Sequence, residues 1–231
     1  VATMKALLIG AWAIFRKDIQ SELRTRYALN ALLLFAACTA VAVSLGVGFL
    51  GLRRDPQSLV IQSSLLWIAL LFAALNGLSR SFVQEEERRT ALALRLAARP
   101  TAVFLGKFCF NLVLLLVLDV VTTVLFVIFL RVEIANLSLF VAMLAMGSLS
   151  LTTATTLVAA IIARANFKSG LFAVLAFPLI VPLLVIAIQG TTLALGGGAW
   201  SQGLPLLQIL SSYAIATLVA SLMLFPFVWE A

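Results

Sequence analysis

Six apolar runs, each long enough to cross a membrane, dominate the sequence and restrict the chain to folds built in lipid. The runs occupy about residues 28–50, 58–79, 103–130, 136–163, 169–189 and 204–228. About 20 apolar residues in a helix span the roughly 30 Å hydrocarbon core, where the backbone must satisfy its own hydrogen bonds. Only 11% of the 231 residues are charged, against about 25% in soluble domains. We therefore predict an all-α membrane protein with six transmembrane helices, forming a single domain over residues 1–231.

The segment before the first run, residues 5–26, has a different pattern. Large apolar side chains recur at spacings of three and four residues and share one helical face: Leu8, Trp12, Phe15, Ile19 and Leu23. Several cations fall largely on other faces: Arg16, Lys17 and Arg24. The pattern is typical of an amphipathic helix lying in the membrane interface, although a cytosolic extension of the first span is the alternative.

Short polar segments separate the runs. A short turn at 51–58 contains Pro56, and further breaks occur at 131–133 and 163–170. Residues 189–203 are rich in glycine and predict a loop or a partly re-entrant segment, with Trp200 in the headgroup zone.

The distribution of cations predicts the orientation. If the N-terminus lies inside, 13 of the 16 cations lie on the cytoplasmic side. The other three are Arg53, Arg54 and Arg131. Cytoplasmic loops carry an excess of lysine and arginine, so both termini are predicted to be cytoplasmic.

Several kinds of site are disfavoured by composition. The chain has no histidine, which removes the commonest ligand of metals and of haem iron, and we predict no metal site. Cys38 and Cys109 lie inside apolar runs and are expected to be small buried hydrophobic residues, not a disulfide. The net charge of +7 belongs to span ends that meet lipid headgroups, and no nucleic-acid partner is expected.

The longest polar stretch, from Arg80 to Pro100, joins the second and third runs. Within it, Glu85 and Arg89 have the spacing of a stabilising helical pair. The leucines beside the charges suit docking into a groove on a partner protein: Leu92, Leu94 and Leu96. Three consecutive carboxylates, Glu85, Glu86 and Glu87, are poor candidates for catalytic acids because they do not share a helical face. Two arginines, Arg88 and Arg89, follow them directly.

Asp119 lies near the middle of the third run. A carboxylate at that depth is costly, by about 3 kcal/mol on insertion scales, and is a functional candidate by default. The alternative is a neutral acid hydrogen-bonded to a neighbouring hydroxyl, for example in the Ser148–Thr156 run. Small hydroxyl residues of this kind also allow helices to approach closely.

Pro178 and Pro182 stand four residues apart in the fifth run. Each proline removes a backbone hydrogen bond and crowds the preceding turn, which predicts a kink. The bend could serve gating, or it could be a static feature accommodated by packing.

Two stretches carry a resemblance to a known family. They are QEEERRTALALRLAARPTAVFLGK, from Gln84 to Lys107, and SGLFAVLAFPLIVPLLVIA, from Ser169 to Ala187. Together with the interfacial helix and six spans, they resemble an ABC-2-type exporter permease, and within that class the CcmB family of cytochrome c maturation. The resemblance covers essentially the whole chain, and the stretch between spans two and three would be its coupling helix.

The resemblance implies a non-catalytic subunit of the bacterial inner membrane. ATP would be bound by a separate ATPase, CcmA, and this sequence accordingly has no glycine-rich phosphate-binding loop. A CcmB homodimer with CcmC and CcmD would act either in haem export or in release of the haem-loaded chaperone CcmE. No cofactor would be tightly bound, and haem would be a transient cargo. Alternatives are a permease for a lipid, glycan or drug, and a membrane-embedded transferase or channel.

Overall fold

The computed structural model describes residues 2–50, 56–77, 94, 98–164 and 170–230. These residues form seven helices and no strand. In chain order the helices are α1 Ala2–Thr25, α2 Tyr27–Leu50, α3 Pro56–Gly77, α4 Pro100–Leu130, α5 Leu137–Arg164, α6 Gly170–Leu195 and α7 Trp200–Glu230.

Helices α2 to α7 are long and apolar enough to cross a membrane. Their candidate spans are Leu29–Gly46, Pro56–Leu75, Pro100–Leu130, Leu137–Ile161, Phe177–Leu195 and Trp200–Phe227. The predicted all-α membrane fold with six spans is therefore confirmed, and α1 is the additional helix before them.

The spans alternate in direction. Helices α2, α4 and α6 begin at one end of the bundle, the near end, and finish at the other, the far end. Ser44 Oγ donates to the carbonyl oxygen of Phe129 at 2.9 Å, which joins the last turns of α2 and α4 at the far end. At the near end, the rings of Phe104 and Phe225 lie 5.2 Å apart and join the start of α4 to the end of α7.

Helix α5 lies at the centre and α2 at the edge. Within its candidate span 61% of α5 is buried, compared with 17% of α2, and α5 packs against α4, α6 and α7. Close approach depends on glycine: a Cβ at Gly147 of α5 would lie 2.1 Å from the Trp67 ring of α3. Small residues replace the missing hydrophobic driving force between helices in lipid by allowing tight packing.

The glycine-rich segment differs from the prediction of a loop at 189–203. Helix α6 continues to Leu195, and only four residues separate it from α7. Gly197 has a φ of +78°, and the Gly198 N–H donates to Leu193 O at 2.8 Å, so α6 ends in a Schellman motif. Within the last turns of α6 the polar side chain of Thr191 is accommodated in the bundle, since its Oγ1 accepts a hydrogen bond from Trp67 Nε1 at 2.8 Å.

The far end of the bundle is held together by Asn136. Its Oδ1 caps α5 by accepting from the Leu139 N–H at 3.1 Å, while its Nδ2 donates to Gly198 O at 3.0 Å. Trp200 Nε1 donates to Ser138 Oγ at 3.0 Å. The start of α5 and the turn between α6 and α7 are therefore one hydrogen-bonded unit.

The prediction that both cysteines are buried is wrong. Cys38 and Cys109 are free thiols exposed on the outside of α2 and α4. An apolar environment in a membrane protein is supplied by lipid as well as by the core, so a cysteine in an apolar run need not face inward.

Candidate functional site

Most of the predicted partner-docking residues lie outside the described residues: Glu85, Glu86, Glu87, Arg88, Arg89, Leu92 and Leu96. The end of their segment is described. Leu94 and Ala98 pack against the core, and Arg99 is in an extended conformation directly before Pro100, the first residue of α4. Proline at this position suits a helix start because its missing N–H would have no partner there. Ala98 is therefore separated from α4 by Arg99 alone.

Helix α1 packs along the first turns of α4. Ala11 and Ile14 are buried, and a Cβ at Gly106 of α4 would lie 2.8 Å from both the Ala11 carbonyl oxygen and Ile14 Cβ. Gly10 also lies close to α4, since a Cβ there would be 3.3 Å from Ala102 Cβ. The backbones of the two helices are thus in near contact.

The apolar face predicted for α1 is a different one from the face that packs on α4. Leu8, Trp12 and Leu23 are 60%, 64% and 58% exposed. Helix α1 therefore directs Ala11, Ile14 and Asp18 toward α4 and leaves large apolar side chains exposed on its outer side.

A buried ion pair joins the two helices. Lys107 Nζ of α4 lies 3.3 Å from Asp18 Oδ2 of α1, with the lysine side chain 1% exposed and the aspartate 12%. The other carboxylate oxygen, Oδ1, lies 3.3 Å from Nζ of Lys17, whose side chain is 48% exposed. The Asp18 carboxylate therefore links an interior cation on α4 to a surface cation on α1.

Glu22 lies one helical turn beyond Asp18 and joins α1 to α2. It is 8% exposed, and its Oε1 accepts the Leu29 N–H of the first turn of α2 at 2.9 Å. A carboxylate at a helix N-terminus satisfies a free N–H and interacts favourably with the helix dipole. Arg26 makes the sharp connection between the helices with a φ of 52°.

Sequence reasoning missed this cluster of Asp18, Glu22 and Lys107. Lys107 was counted among the cations that orient the spans, and the two acids were assigned no role. A usable signal was present: a lysine seven residues inside an apolar helix must find an anion or a route to the interface. The sequence does not say which helix supplies that anion.

A second polar group lies in the middle of the bundle. Asp119 is 4% exposed, and Ser148 Oγ donates to its Oδ2. Its other oxygen, Oδ1, has no hydrogen-bond partner among the described residues. The structure thus pairs Asp119 with a member of the hydroxyl run that the sequence suggested, and a role in function stays a prediction.

The contact between α4 and α5 repeats eight residues along each helix. Asn111 Nδ2 donates to Thr156 Oγ1 at 3.0 Å, and both residues are fully buried. On its other side α5 meets α7, where the hydroxyls of Thr153 and Thr217 lie 2.7 Å apart. Three members of the hydroxyl run, Ser148, Thr153 and Thr156, therefore make defined contacts between helices.

Pro178 and Pro182 both lie inside α6, on its exposed side. The turn before Pro182 receives a hydrogen bond from another helix, because Tyr213 OH of α7 donates to Leu179 O at 2.5 Å. A hydroxyl of this kind satisfies a carbonyl in the turn that a proline disturbs. The predicted role of the prolines in gating stays a prediction.

Comparison with known proteins identifies the family. The family model described as CcmB protein matches residues 9–231. Comparison with curated proteins found no match. The matched range contains all six candidate spans, the ion pair between α1 and α4, and the segment before Pro100. Because the match covers nearly the whole chain, the protein belongs to the CcmB family of membrane permease subunits.

Proposed function

We propose that the chain is the permease subunit of an ABC transporter complex for cytochrome c biogenesis, driven by ATP hydrolysis in a separate ATPase subunit. The observation that carries the proposal is the CcmB family match over residues 9–231 of a chain with six candidate spans. A permease uses ATP only if some element contacts the ATPase differently in its two nucleotide states. The segment containing Glu85, Leu92 and Leu96 is our candidate for that element.

The proposed orientation places the near end at the cytoplasmic face of the bacterial inner membrane. The distribution of cations supports this, because 13 of 16 then lie on the cytoplasmic side. Helix α1 would lie along that face with Leu8, Trp12 and Leu23 in the acyl boundary and Lys17 among headgroups. Their exposure is consistent with such a position.

The proposed partners follow from the family. Two copies of the chain would assemble with the ATPase CcmA and with CcmC and CcmD, and the complex would act on haem or on the haem-loaded chaperone CcmE. The chain has no histidine to serve as an axial ligand, which favours transient apolar contact with haem over tight binding. ATP would be bound by CcmA alone.

The test is complementation in bacteria that lack their own CcmB protein. Expression of the chain should restore haem-stained c-type cytochromes, and affinity purification of the chain should recover CcmA. The purified chain by itself should not hydrolyse ATP, and membranes without the chain serve as the control. Membrane insertion without restored cytochromes or without CcmA, or ATP hydrolysis by the chain alone, would contradict the proposal.

A further inference from the structure

The pair of Asp18 and Lys107 is buried between two helices that are also in contact at their glycines. Gly10 and Gly106 already bring the backbones of α1 and α4 into near contact. Removing two charges from water costs about as much as their attraction returns, so apolar residues of similar size often stabilise a protein equally well. Stability is therefore a weak explanation for a lysine that is 1% exposed at this position.

The position of the pair near the start of α4 suggests that the buried lysine has a role in transmitting movement. Lys107 lies two turns after Pro100, where the segment that we propose meets the ATPase continues into α4. Leu94 and Ala98 of that segment pack against the core, and Arg99 alone separates Ala98 from α4, so a displacement of Ala98 would act directly on the first turns of α4. Lys107 is in those turns.

The contacts continue from α4 through α1 to α2. Asp18 forms the ion pair with Lys107 on the inner face of α1, and Glu22 lies one turn further along the same face. The Glu22 carboxylate in turn accepts a hydrogen bond from the Leu29 N–H of α2, with 2.9 Å between Oε1 and N. Two carboxylates on one face of α1 thus connect two spans that both begin at the near end.

We propose that Asp18 and Lys107 are positioning residues that fix α1 to the start of α4, so that movement of the segment before Pro100 reaches α1 and, through Glu22, the start of α2. The proposal rests on the permease function proposed above. It states that α1 and the first turns of α4 move as one body during the ATPase cycle.

The first experiment removes both charges together. The double variant Asp18→Asn/Lys107→Met removes both charges of the pair at once, so that neither of these two residues keeps a charge facing a neutral partner. Permease level, thermal stability and recovery of CcmA should match the unchanged chain, whereas cytochrome c formed per ATP hydrolysed should fall about tenfold. Lys17→Met is the matched control, because it removes an ammonium group that is also 3.3 Å from Asp18 but half exposed. It should change nothing.

The second experiment replaces the ion pair by a covalent link. Cysteines at Gly10 and Ala102 are close enough to be linked after a small adjustment, since a Cβ at Gly10 would lie 3.3 Å from Ala102 Cβ and a disulfide holds its Cβ atoms roughly 3.5–4.5 Å apart. With Cys38 and Cys109 changed to alanine, oxidation should restore cytochrome c formation to the double variant, and reduction should remove it again. In the chain with Asp18 and Lys107 unchanged, the same disulfide should be harmless.

Three results would overturn the inference. They are full activity of Asp18→Asn/Lys107→Met, failure of the disulfide to rescue it, and inactivation of the otherwise unchanged chain by the disulfide. The last result does not depend on the folding of the double variant and would mean that α1 and α4 must separate. Failure of the proposed function is distinguishable, because the unchanged chain would then neither recover CcmA nor support cytochrome c formation.

Discussion

The Asp119 side chain lies in the centre of α4 with Ser148 as its hydrogen-bond partner. No lysine or arginine lies at a matching depth in the sequence, and an ionised carboxylate there would be costly, so a neutral acid is expected. An asparagine side chain has nearly the same shape and still accepts a hydrogen bond. We predict that Asp119→Asn inserts normally and supports cytochrome c formation at the level of the unchanged chain. A strong loss in haem-stained cytochromes at matched permease levels would instead assign a role to the charge.

Gly147 is a residue where one methyl group has a large predictable effect. A Cβ there would lie 2.1 Å from the fully buried Trp67 ring, which cannot move freely because its Nε1 donates to Thr191. We predict that Gly147→Ala lowers stability by about 1–3 kcal/mol, as overpacking typically does. Thermal unfolding in detergent measures the effect, with Gly46→Ala as the control because nothing lies within 4 Å of that position. Equal melting temperatures for the two variants would contradict the packing between α3 and α5.

At the scale of elements, α1 is predicted to lie along the cytoplasmic surface. Lys17 and Arg24 are both exposed, so single cysteines at these positions should react readily in a chain whose Cys38 and Cys109 are replaced. A membrane-impermeant thiol reagent should label them in inverted vesicles and leave them unlabelled in intact spheroplasts. Labelling of either position from the periplasmic side would defeat the proposed topology.

The segment between α3 and α4 is predicted to dock on CcmA mainly through its leucines. Buried apolar anchors usually dominate the free energy of an interface, whereas rim charges tune association and specificity. Leu92→Glu or Leu96→Glu should therefore reduce recovery of CcmA and cytochrome c formation more than Arg88→Ala does. The spans should still insert, since their apolar runs are unchanged. Normal recovery and maturation in both leucine variants would place the contact elsewhere, and residues 163–170 are then the next candidate.

For the whole molecule, the apolar runs predicted the helices because hydropathy and length are local properties. Contacts between helices could not be predicted from the sequence, because they depend on which spans become neighbours in the bundle. Asp18 and Lys107 are 89 residues apart, and only the packing of α1 on α4 brings them within 3.3 Å. The inner face of α1 was missed for the same reason, since small residues such as Gly10 and Ala11 do not stand out in a hydrophobic pattern.

Polar residues in apolar runs were the least predictable. The glycine-rich composition of residues 189–203 suggested a loop, yet α6 continues to Leu195, and the indole of Trp67 supplies a hydrogen-bond partner for Thr191 inside the bundle. Asp119 was predictable as a residue that needs a partner, and the nearby hydroxyl run supplied candidates. The choice of Ser148 among them required the register of α4 against α5.

That register limits how related chains can differ in length. The contacts at Asn111 and Asp119 on α4, and at Thr156 and Ser148 on α5, are each eight residues apart, which is about 12 Å along a helix. Inserting one residue between the two positions of either helix would rotate the remainder of that helix by about 100°. An insertion in α4 would turn the carboxyl group of Asp119 away from Ser148. Insertions and deletions among relatives that keep these residues should therefore fall outside both eight-residue intervals, and compensating pairs of length changes should be the rare exception.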